Sequence, residues 1–60
     1  MNISWAAQKV IDSAGIRPEE TDEFLVSLAE RCLEKCYYID RAADEMLYLL
    51  NRSGAFKLKS

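Results

Sequence analysis

Between Pro18 and Cys36 the chain reads PEETDEFLVSLAERCLEKC, and its apolar residues recur at helical spacing. Phe24, Leu25, Leu28, Ala29, Cys32, Leu33 and Cys36 follow one another at steps that keep them on one face of an α-helix. Glu23, Ser27, Glu30, Arg31, Glu34 and Lys35 take the opposite face. Pro18 has a backbone angle already suited to a first helical turn, where its missing amide donor costs nothing. Glu19, Glu20, Asp22 and Glu23 place negative charge at the positive end of the helix dipole, and Lys35 places positive charge near the other end. The pattern predicts one helix over 18–36, against which the rest of the chain must pack.

Upstream, Ser4 is a good N-cap for a helix from Trp5 to Ala14. Its apolar side would carry Trp5, Ala6, Val10, Ile11 and Ala14, with Gln8, Lys9 and Asp12 outward. Gly15 suits the left-handed position that closes a helix, and Ile16 would then fold back on Ile11, the apolar contact of a Schellman motif. Pro18 disfavours helical geometry at Arg17. Gly15-Ile16-Arg17 therefore reads as a tight corner.

Downstream of Cys36 the pattern supports two arrangements. In the first, Asp40 caps a third helix from Arg41 to Arg52 that ends at Ser53-Gly54 and buries Ala42, Ala43, Met46, Leu47, Leu49 and Leu50. In the second, a single helix runs through. Leu25, Leu28, Cys32, Cys36, Ile39, Ala43, Met46 and Leu50 form a seam at steps of three and four, with one extra four-residue step as a stutter. That helix would be about 50 Å long at about 1.5 Å per residue. It could bury its seam only as an obligate helical dimer. The expected fold is all-α, a small three-helix bundle over 1–54, with the short-plus-long-helix dimer as the alternative. Residues 55–60, alternating apolar and polar with Lys57 and Lys59, read as a flexible C-terminal tail.

Sixty residues is one domain, near the lower limit for folding alone, because a chain this short buries only about 60% of its unfolded surface. A homodimer is accordingly expected. Half the residues are hydrophobic and 30% are charged, a globular rather than a disordered composition. The net charge of −2 argues against a general nucleic-acid binder, which carries a basic face. No apolar run reaches the roughly 18 residues of a membrane span, and the N-terminus lacks a signal-peptide pattern. The expected location is cytoplasmic. Two cysteines make no disulfide framework, and reduced thiols fit that compartment.

Candidate chemistry is sparse. Cys32 and Cys36 stand one turn apart, but a zinc site needs about four ligands and the chain has no histidine. They read as small buried hydrophobes. The carboxylates read as a solvated face, with no partner histidine, phosphate cradle or calcium-loop spacing. No catalytic, cofactor or metal site is expected, and no enzyme. Ile11-Asp-Ser-Ala-Gly15-Ile16 ahead of a Pro-started helix is similar to the corner of a helix-turn-helix. Its second helix, however, opens on Glu19, Glu20, Asp22 and Glu23, where a DNA reader needs basic or amide side chains. Ile39-Asp-Arg-Ala-Ala-Asp-Glu-Met-Leu47 slightly resembles the last helix of ubiquitin-associated domains. The distance from Gly15-Ile16 is too long for that family's second helix, and its loop signature is absent, so no family is assigned.

The aromatics carry more. A core this small cannot cover Trp5, Tyr37, Tyr38, Tyr48 and Phe56 together, and adjacent Tyr37 and Tyr38 point about 100° apart on a helix. Exposed aromatics are typical of binding patches. The expected function is that of a small regulatory or adaptor protein, acting as a homodimer and on a protein partner through a hydrophobic helical surface. Its partner-binding residues would be Tyr37, Tyr38, Tyr48, Leu49 and Phe56. A helix-turn-helix-like nucleic-acid regulator and a thiol-based metal or redox sensor are the alternatives.

Overall fold

The computed structural model describes residues 3–54. Three helices, α1 (Trp5–Ser13), α2 (Glu23–Lys35) and α3 (Ile39–Ser53), pack each against both others. This is the all-α three-helix bundle that the hydrophobic pattern predicts. The expected tail, Phe56 included, lies outside the described residues.

The first helix starts and stops as its sequence implies. The Ser4 hydroxyl accepts from the Ala7 amide at 3.2 Å. At the other end the Gly15 amide donates to the Asp12 carbonyl at 3.0 Å and the Ile16 amide to the Ile11 carbonyl at 3.2 Å. Those two bonds define a Schellman close. Gly15 takes φ +78°, and Ile16 is buried in the same cluster as Ile11. The buried face departs from the predicted one at its start: Ala7, not predicted, is covered with Val10, Ile11 and Ala14, whereas Ala6 is only half-buried and Trp5 is 70% exposed. Spacing explains the difference, since residues 7, 10, 11 and 14 hold the i, i+3, i+4, i+7 register and residue 5 leaves it.

The second helix begins later than the pattern suggested. Pro18–Glu20 is a separate 3-10 turn, closed by the Thr21 amide on the Pro18 carbonyl at 3.1 Å. Asp22 is extended, and its carboxylate accepts from the Leu25 amide at 2.9 Å, which makes it the N-cap of α2. A capping carboxylate five residues into the predicted helix competes with helical geometry at its own position and wins.

The chain also breaks after α2. Cys36 is extended at φ −120°, ψ 130°, and Tyr38 likewise at φ −101°, ψ 145°. The uninterrupted helix is thereby excluded, as is a length of about 50 Å; the described residues extend 25 Å along their longest axis. The third helix starts at Ile39, with Tyr38 as an N-cap that contributes no side-chain bond. Asp40, predicted as the cap, sits instead in the first turn, where its charge still favours the helix dipole. Gly54, at φ +73°, ends α3.

The core is apolar throughout, with no buried polar or charged residue among those described. Val10, Ile11, Cys32, Met46 and Leu50 are its largest fully buried side chains. Val26, absent from the predicted stripe, is also buried, while Phe24 is 56% exposed. Leu28, Leu33, Leu47 and Leu49, predicted as core, are only partly buried against it.

Candidate functional site

The exposure of Phe24 and the half-burial of Leu28 and Leu49 have one origin. Phe24, Leu28, Arg31, Cys32 and Lys35 of α2 and Leu49, Leu50 and Ser53 of α3 line a shallow groove of about 260 Å³ between the two helices. At about 100° per residue, Phe24 and Lys35 stand within about 40° of Leu28 around the helix axis, with Arg31 on one flank and Cys32 on the other. Leu25, Ala29 and Val26, which enter the core, lie about 60° to 160° beyond Leu28. The apolar arc of α2 is thus close to twice the roughly 100° that one packed face requires. Half of it fills the bundle and the other half forms the groove.

The chemistry of the groove is that of a contact surface. Its floor is apolar (Leu28, Cys32, Leu49 and Leu50), with Phe24 at one end and the cationic Arg31 and Lys35 along the α2 edge. No carboxylate lines it. The Ser53 hydroxyl, its one alcohol, donates to the Leu50 carbonyl at 3.2 Å. Cys32 is 1% exposed. Burial raises its thiol pKa, and the nearby Glu45 carboxylate and Cys36 push the same way against the opposing pull of Lys35 and Arg31. Such a thiol stays protonated, unlike the activated thiolate of a reactive cysteine. Cys32 and Cys36 are both free, and no cluster of three or more metal-ligating side chains occurs among the described residues.

The residues predicted to bind a partner do not form one patch. Leu49 lines the groove. Tyr37 and Tyr38 stand at the α2–α3 corner, 92% and 66% exposed, their rings edge-to-face at 4.9 Å. Tyr48, 55% exposed, accepts a bond from the Arg52 guanidinium at 3.2 Å, on the turn that faces away from the core. Phe56 lies outside the described residues. Trp5 carries the Lys9 ammonium over its ring at 5.6 Å, at the start of α1. Sequence reasoning assigned Phe24 and Leu28 to the core and Arg31 and Lys35 to a solvated face, so it missed the groove. The signal available was the excess width of the apolar arc, about 200° from Phe24 to Val26.

The connection between α1 and α2 spans residues 14–22 and contains a 3-10 turn of its own. It is longer than the three- or four-residue turn of a helix-turn-helix. No helix is long and apolar enough to cross a membrane among the described residues. No protein family, curated protein or solved structure matches the chain.

Proposed function

We propose that this protein is a small regulatory or adaptor module that acts by binding another protein surface in the α2–α3 groove, without catalysis. One observation carries the reading: Phe24, a large aromatic 56% exposed, borders an apolar groove that the bundle leaves uncovered. Exposed aromatics beside Arg and aliphatic side chains are the composition of energetically dominant contact residues. Grooves of this form receive apolar side chains projected from a partner helix. A cytoplasmic location belongs to the same proposal and suits the two free thiols. Tyr37 and Tyr38 would extend the surface at the corner, while Tyr48 faces elsewhere.

A photo-crosslinking amino acid placed at Phe24, and separately at Tyr48 as a control, tests this in the native host. The expected outcome is a discrete adduct from position 24 and none from position 48. Equal labelling at both sites, or none at either, would refute the groove as the contact surface.

A further inference from the structure

We infer that the groove's occupant is an acidic amphipathic helix of a different protein, its apolar side chains on the Leu28–Leu49 floor and its carboxylates against the cations of the rim. The inference rests on the groove reading above and names the chemistry of the partner. Three cations border the groove. Arg31 and Lys35 line its α2 edge, and Arg52, next to Ser53, stands about 60° around α3 from Leu49. All three are exposed. The ion pairs among the described residues are those of Arg17 with Glu19 and Glu20, so no carboxylate engages Arg31, Lys35 or Arg52. The Arg52 guanidinium instead donates to the Tyr48 hydroxyl at 3.2 Å. One carboxylate shares this side of α3: Glu45, a turn before Leu49 and about 40° from it. Its charge reaches the floor at Cys32, where Lys35 and Arg31 oppose it. The rim therefore keeps a positive excess in a chain whose net charge is −2.

The groove also has the dimensions of a helix. From Phe24 to Lys35 it runs about 16 Å along α2, at about 1.5 Å per residue, which is three helical turns. A helix of that length offers such a groove apolar side chains at i, i+3 or i+4, and i+7. Carboxylates beside that stripe form charge-assisted bonds with the rim, two at once with each arginine fork. Charge sets the other occupants aside. Glu23, Glu30 and Glu34 lie about 120° to 160° from Leu28 around α2, on its far face. A second copy's α2 would therefore bring Arg31 and Lys35 to the groove beside its apolar stripe, cation against cation. Residues 55–60 carry Lys57 and Lys59 and no aspartate or glutamate. The phosphates of a nucleic acid would suit the rim, but they bring no apolar side chain to a floor of Leu28, Cys32, Leu49 and Leu50.

Two synthetic helical peptides of about four turns test the inference. Both carry one leucine stripe, flanked by glutamate in one peptide and by lysine in the other. Each is titrated into the isotope-labelled full chain and followed by amide chemical shifts. The glutamate peptide should shift Phe24, Leu28 and Leu49 and leave Trp5 unmoved, and the lysine peptide should bind at least about tenfold more weakly. Arg31→Glu with Lys35→Glu should reverse that preference, which a merely misfolded surface would not do. Far-UV circular dichroism confirms that the variant keeps its helices. Equal affinity for the two peptides, no binding of either, or a preference that survives the charge reversal overturns the acidic occupant. So does a groove whose amides shift with protein concentration alone, which would make the occupant a second copy, or one that prefers an oligothymidine to the glutamate peptide. Under any of those results, a crosslink from position 24 to a different protein in the native host would still support the groove, whereas its absence would remove both readings.

Discussion

Gly15 shows how a single backbone angle sets the course of the chain. At φ +78° it turns the chain out of α1 and places Ile16 in the core. A Cβ built there meets nothing within 4 Å, so the cost of a side chain is conformational and not steric contact with neighbours. Gly15→Ala should destabilise the fold by about 1–2 kcal/mol, the usual cost of a left-handed L-residue. Chemical denaturation measures it, and a more stable variant would mean that α1 runs on through the corner. Cys32 gives a second prediction at this scale. Its thiol is buried with a raised pKa, whereas Cys36 is half-buried. In the native state Cys36 should react with an alkylating reagent well ahead of Cys32, and denaturant should abolish the difference. The folded thiol of Cys32 also holds its proton to higher pH than the unfolded one. The stability this contributes is present below the unfolded thiol pKa and is lost as pH rises through the folded value. Cys32→Ala should accordingly flatten the alkaline loss of stability.

The helices are delimited by a few capping side chains, and the two aspartates near helix starts are not equivalent. Asp22 accepts the Leu25 amide and initiates α2, while Asp40 lies inside the first turn of α3 and makes no capping bond. Asp22→Ala should cost about 1 kcal/mol, as loss of an N-cap usually does. Asp40→Ala should cost about 0.3–1 kcal/mol at low salt through the dipole alone, and less at high salt. Thermal melts of both variants at two ionic strengths separate the two roles. The Pro18 turn follows the same logic. It is held by its own backbone closure and the Thr21 hydroxyl on the Arg17 carbonyl at 3.1 Å, independent of α2. A strong cap downstream of a good start signal yields two short elements in place of one long helix.

At the level of the whole molecule, the three helices converge on one apolar cluster in which Ile11, Met46 and Leu50 are fully covered. Met46→Ala should cost about 2–5 kcal/mol, the range for emptying a packed site. In a domain of 60 residues that removes most of the marginal stability small folds possess. Leu28→Ala should cost distinctly less in the monomer, because part of Leu28 already faces the groove. Parallel denaturation of the two variants at low protein concentration checks the order. Equal losses would place Leu28 in the core after all.

Much of this was legible in the order of residues. Ser4, Gly15 and Gly54 act through bonds and angles within a few positions of themselves, so the ends of α1 and the close of α3 follow from local chemistry alone. The three-helix class follows as well, since apolar spacing is a property of each helix by itself. The division of α2 was decided elsewhere. Its pattern marks an apolar arc, but only the placement of α1 and α3 determines that Val26 enters the core while Phe24 stays outside. The break at Cys36–Tyr38 is of the same kind. No residue there forbids a helix, and α3 must fold back for Met46 and Leu50 to reach the cluster around Ile11 and Cys32. Local propensity differs by fractions of a kcal/mol among such residues, whereas burying one such side chain is worth about 1.5–3 kcal/mol. Packing therefore overrides the continuous seam, and the groove between α2 and α3 exists only because it does.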